Sequence, residues 1–114
     1  MSFTVFQIGP VVAQNIFPKT PFLYGMSNAF TKADVRAMLK DGSYGAVAKF
    51  NVDTMDEVYE VSNSGRAEHK IERMERMHSV SVGDVIVDDT GYVWVVAPDG
   101  FDALGEKLEQ VLVG

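Results

Sequence analysis

Apolar and polar positions alternate from Phe3 to Ile8, the period-two pattern of a strand. Phe3 and Val5, continued by Gln7, fall on one face; Phe6 and Ile8 fall on the other. Gly9-Pro10 breaks this strand, and Val11-Val12-Ala13 can resume it. Pro18 and Pro21 then impose an irregular connection, because neither can donate to a ladder. Thr31 is a suitable N-cap, with Asp34 three residues on in a capping-box arrangement. Ala33, Val35, Ala37, Met38 and Leu39 follow, and Gly42 is a stop. The pattern predicts a helix from Lys32 to Asp41.

A second strand is predicted over Tyr44 to Val52, anchored by Val47 and Phe50 with Lys49 and Asn51 outward. Thr54 and Glu57 repeat the cap pattern and open a second helix. Its apolar face is read as Met55, Val58 and Tyr59 with Ser62, and Asn63-Ser64-Gly65 ends it. Residues 66–77 read two ways. Ile71, Met74 and Met77 are three apart, which favours a short charged helix or turn with pairs such as Glu72–Arg76; an edge strand is the alternative.

The richest stretch runs from Met77 to Phe101. Ser79-Val80-Ser81-Val82 alternates as a half-buried strand does. Val85-Ile86-Val87 and Tyr92 to Val96 are β-branched and aromatic runs flanking Asp88-Asp89-Thr90-Gly91, a hairpin pattern. Asp99-Gly100, after Pro98, marks another turn. Phe101, Leu104, Leu108, Val111 and Leu112 then suggest the apolar stripe of a C-terminal helix, capped by Asp99 or Asp102. Hairpin pairing mixed with helices predicts an α+β fold: one domain over residues 1–114, a mainly antiparallel sheet, and two to three helices packed on it.

Composition narrows the functional classes. A chain of 114 residues with 46% hydrophobic content can bury a core without staples. No cysteine is present, so neither a disulfide framework nor a thiolate metal site is available. The N-terminus lacks a signal-peptide pattern, and no apolar run approaches the roughly 18 residues of a membrane span. A soluble, cytoplasmic protein, or one delivered intact, is the expectation. The net charge of −6 is unevenly spread. Residues 1–50 carry five bases and two acids, whereas residues 51–114 carry five bases and fourteen acids. An acidic surface repels phosphate, disfavours direct nucleic-acid binding and steers basic partners. A merely solubilising acidic face is the simpler account of the same charges.

Several residues together resemble the YodL-like domain, a small module of Gram-positive bacteria and their phages and mobile elements. They are Val5-Phe6-Gln7-Ile8, Val58-Tyr59-Glu60-Val61, the run His78-Ser79-Val80-Ser81-Val82-Gly83-Asp84-Val85-Ile86-Val87, and Gly100-Phe101. The match is concentrated at residues 78–101. It makes His78, Ser79, Ser81, Gly83, Asp84, Gly91, Gly100 and Phe101 a structural signature. The resemblance implies no transferable enzymatic activity; it implies an accessory protein and makes a host-directed protein ligand plausible.

Asp89-Thr90-Gly91 matches the aspartic-protease triplet, whose chemistry needs two carboxylates about 3 Å apart. Here Asp and Gly are ordinary hairpin residues, and Gly91 can take positive φ. His69 and His78 are the only histidines, and their spacing of nine fits no helix-based ligand pair. Asp84 is expected to accept backbone N–H bonds before Val85, and His78 to pack or hydrogen-bond where the strand starts. Gly42-Ser43-Tyr44-Gly45 lacks a phosphate-cradle spacing. No catalytic residue, metal ligand or cofactor is assigned.

The resulting expectation is a small acidic non-enzymatic accessory protein of the host-takeover or anti-defence type, binding a host protein that presents a basic surface. Its expected contacts are Phe17, Phe22, Tyr24 and Phe30 in an apolar, irregular loop, with Asp56, Glu57, Glu60, Asp102, Glu106 and Glu109 supplying charge. Two alternatives stay open. One is a small-molecule or nucleotide-binding domain, or a minor enzyme, using His78, Ser79, Ser81, Asp84 and Tyr92. The other is a virion or assembly component dimerising through the C-terminal helix; a homodimer is compatible with either reading.

Overall fold

The computed structural model describes residues 1–9, 32–65, 67–77, 79–97 and 100–113. The expected strand at Val11–Ala13, the Thr31 cap, the loop from Phe17 to Phe30, His78 and Asp99 lie outside the described residues. Among the described residues six strands form one antiparallel sheet. They are β1 (Phe3–Ile8), β2 (Tyr44–Phe50), β3 (Ile71–Arg73), β4 (Val85–Val87), β5 (Tyr92–Ala97) and β6 (Gly100–Lys107), in the order β3-β2-β1-β4-β5-β6. The helices are α1 (Lys32–Lys40), α2 (Met55–Ser64) and α3 (Leu108–Val113). This is the expected α+β domain.

Strand alternation sends side chains to two cores, one on each face of the sheet. Phe3 and Val5 of β1, Phe50, Ile86 and Val96 pack with Val58 and Val61 of α2. Ile8, Tyr44, Val85, Val87, Val93 and Leu104 pack with Val35 and Leu39 of α1 and Val111 of α3. The centre of the sheet is therefore covered on both sides, and all three residues of β4 are buried. Covering both faces also explains why Val85-Ile86-Val87 is an unbroken apolar run instead of an alternating one.

The caps act as the spacing predicts. Thr54 Oγ1 accepts from the Glu57 amide at 3.2 Å, and Gly65 closes α2 in the left-handed region at φ 69°. The inward face of α2 differs from the expectation at one position. Val61, not Tyr59, completes it, and Tyr59 stands 45% exposed. Three residues on from Val58 the helix has turned back to the sheet; one residue on it has turned away.

Residues 67–77 are not the charged helix; they include the alternative, an edge strand. A 3-10 turn at Glu68–Lys70 leads into β3, which pairs with β2. Ile71 lies opposite Phe50, and Glu72 lies opposite Lys49, a favourable cross-strand charge pair. Arg73 bonds Glu68, not a helical neighbour. Val47 sits at a bulge in the β1–β2 register, and its carbonyl accepts from the Met74 and Glu75 amides at 2.9 and 3.1 Å. Those bonds fasten the chain as it leaves β3.

Two other elements differ. Ser79 to Val82 is not a strand: Val80 is buried, and its amide donates to Ser62 Oγ at 2.7 Å, which holds the segment against α2. The C-terminal helix is shorter than expected. Phe101, Asp102, Leu104 and Glu106 lie on β6, and helix begins only at Leu108.

Candidate functional site

Helix α2 carries Asp56, Glu57 and Glu60 and no base. Asp56 and Tyr59, three residues apart, share one exposed side of it. That side faces the sheet end where β5 stops at Ala97 and β6 starts at Gly100. Asp56, Tyr59, Val82, Val96, Ala97, Gly100 and Phe101 line a groove there of about 350 Å³. Among the described residues its lining combines three aliphatic residues, two aromatic rings, a glycine and one carboxylate. Phe101 is half-buried, packed on the core under α2, and its opposite residue in the ladder is Val96. The space beside Gly100 is open: a Cβ there would meet nothing within 4 Å.

The expected acidic contact residues divide into two groups. Asp56, Glu57 and Glu60 lie on the α2 side. Asp102 is paired with Val95, which packs toward α1 and α3, so it points to the opposite face. Glu106 lies against α1, where its carboxylate accepts a 2.6 Å bond from Arg36 Nε. Glu109 is on α3, on that same far side. The sheet therefore separates the acids into two surfaces, and Glu106 already has a cation. Phe17, Phe22, Tyr24 and Phe30 fall outside the described residues.

The signature residues have architectural positions. Asp84 is fully buried, accepting from the Ser81 amide and from Gln7 Nε2, each at 2.9 Å. The expected turn-capping role is present, and the bond from Gln7 was not foreseen. Tyr44, at the start of β2, donates its hydroxyl to the Gly83 carbonyl at 2.5 Å. Burial, helped by the charge of Asp84, holds the Tyr44 phenol well above its ordinary range, so it stays a donor. The Gly83 amide bonds the Val96 carbonyl, tying the turn to the rear of the groove. Ser81 Oγ donates to the Ser79 carbonyl.

At the other end of β5 the hairpin is organised by Asp88. Its Oδ1 accepts from the Thr90 amide and hydroxyl and from the Tyr92 amide; its Oδ2 accepts from Trp94 Nε1 at 3.0 Å. Partial burial opposes ionisation of Asp88, but these hydrogen bonds outweigh it and hold the carboxyl below its usual range. Asp89 is exposed beside it, and Gly91 has φ 92°. Lys107 Nζ sits 5.5 Å above the Tyr92 ring.

Asp84 and Tyr92 are not brought together. The Asp84 carbonyl bonds the Val96 amide, and four residues of strand, about 13 Å, separate Val96 from Tyr92. His78 lies outside the described residues. No group of three His, Asp or Glu among the described residues could hold a metal ion, and none of the described helices is long and apolar enough to cross a membrane. The groove itself was not foreseen from the sequence. Its signal was available in Tyr59, an aromatic between two acids on a helix whose inward positions Val58 and Val61 already fill. Comparison with family models, with curated proteins and with solved structures returned no match.

Proposed function

We propose that this chain is a small non-enzymatic accessory protein that binds a host protein through the exposed side of α2, its partner presenting a basic surface. The observation that carries the reading is Tyr59. A large aromatic ring is left 45% exposed beside an open groove, on a helix with three carboxylates and no base. Exposed aromatics next to apolar depressions are the anchors of protein interfaces, and like charge around them selects partners and speeds encounter. A phage or mobile-element origin belongs to the same proposal and is supported by the resemblance at residues 78–101. The test is affinity capture from host lysate with the wild-type chain and with Asp56→Lys/Glu57→Lys/Glu60→Lys, both checked for equal melting. A partner held by the first and lost from the second supports the reading. Equal recovery, or none above background, counts against it.

A further inference from the structure

Resting on that reading, we propose that the α2 groove is a pocket for one arginine side chain of the partner. Its volume of about 350 Å³ lies at the low end of ligand pockets, which run from roughly 300 to 1,000 Å³. That suits a single long side chain better than a cofactor. The lining is graded in the way an arginine is. The lining holds the aliphatic Val82, Val96 and Ala97, suited to a methylene stem, and the aromatic Tyr59 and Phe101, on which a planar guanidinium can stack. Asp56 supplies a carboxylate that can take two parallel N–H bonds, and Glu60 follows one turn later on the exposed helix surface.

The protein shows the same chemistry once within itself. At the other end of β5 Lys107 lies over the exposed ring of Tyr92. Among the described residues no cation lies over Tyr59, although its exposure is nearly the same. Among the described residues Tyr59 is thus the second exposed tyrosine and the one that lines a groove with an acid. A compact ammonium would satisfy Asp56 but has no planar face to lay on the aromatic residues of the lining. For that reason the geometry favours arginine over lysine.

The experiment titrates isotope-labelled full-length protein with three short amidated peptides that differ at one central position: arginine, lysine or citrulline. Citrulline keeps the shape of arginine and removes its charge. The expected result is saturable shifts at Asp56, Tyr59, Val96 and Phe101 with the arginine peptide, weakened at least about tenfold for citrulline and severalfold for lysine. Asp56→Asn should weaken the arginine peptide by about tenfold, Tyr59→Phe should retain it, and Tyr59→Ala should lose it. Equal binding of arginine and citrulline, equal binding of lysine, or shifts confined to other acidic positions such as Glu72 and Glu75 would overturn the assignment. Should the arginine peptide fail while the charge-reversed α2 variant still loses the captured partner, the pocket falls and the α2 interface stands. Failure of both removes both.

Discussion

Gln7 Nε2 donates a 2.9 Å hydrogen bond to Asp84 Oδ2, joining residues 77 positions apart in the interior of the sheet. Both side chains are buried, Asp84 completely. The carboxylate also holds the Ser81 amide, so one group fixes the turn before β4 and attaches it to β1. Asp84→Ala removes the acceptor from one buried and one part-buried donor and should cost about 3 kcal/mol. Gln7→Leu, which leaves the carboxylate one partner short, should cost about 2 kcal/mol. Urea unfolding with an unchanged slope and a lowered midpoint is the check. A loss under about 0.5 kcal/mol for Asp84→Ala would show the turn to be held by other means.

Tyr44 makes the same turn sensitive to alkali. Its folded-state value is raised, by burial first and by Asp84 second, while the unfolded chain ionises near 10. A raised value means that the folded state binds the extra proton. The contribution to stability is complete below about pH 10 and falls by up to about 1.4 kcal/mol per pH unit above it. Unfolding midpoints measured from pH 9 to 11.5 should decline steeply for the wild type. They should decline less for Tyr44→Phe, which at neutral pH forfeits about 1 kcal/mol with the bond to Gly83. Parallel declines would rule the phenol out as the source.

Asp88 gives an acid-side counterpart that can be read optically, because Trp94 is the sole tryptophan and donates to Asp88 Oδ2. Asp88 is held below its usual range, so its contribution is present above the ordinary carboxylate value and is lost as pH falls through the lowered one. Trp94 emission should change in that low window before far-UV circular dichroism does. The change should vanish in Asp88→Asn, which keeps the shape but not the titration. Emission that tracks global unfolding at every pH would break the link.

Gly105 marks the point where strand replaces the helix expected from Phe101 onward. The stripe Phe101, Leu104, Leu108, Val111 fits a helix by period, yet residues up to Lys107 pair with β5 across an irregular register. Phe101 and Leu104 are needed on opposite faces of the sheet, one in each core, which a single helical face cannot supply. Gly105, at φ 89°, makes the local conformation that permits the shift. Period alone carries no information about a second core, so it could not separate the two structures. The hairpin, both longer helices and their ends were legible because caps and turns are local chemistry. The edge strand at Ile71 and the groove depend on partners distant in sequence, Phe50 and Phe101 among them. Gly105→Ala raises helix propensity but should destabilise the protein by about 1–2 kcal/mol. A gain in stability would mean that β6 is not what the chain holds there in solution.

Neighbours on α2 separate folding from binding. Val58 is completely buried against the sheet, and Tyr59, the next residue, is 45% exposed over the groove. Val58→Ala removes two buried methyl groups and leaves a void, a loss of about 2–3 kcal/mol. Tyr59→Ala removes a ring that contributes little to the core and should shift stability by about 0.5 kcal/mol or less. Function should respond in the reverse order. Partner capture should fail for Tyr59→Ala in a fully folded protein. It should persist for Val58→Ala under conditions where that variant remains native, because the groove lining is untouched. Chemical unfolding and quantitative capture on the same preparations check both halves. If Tyr59→Ala captured its partner undiminished, exposure of the ring would have no functional meaning, and the contact would have to be sought on the opposite surface, where Asp102 and Glu109 stand.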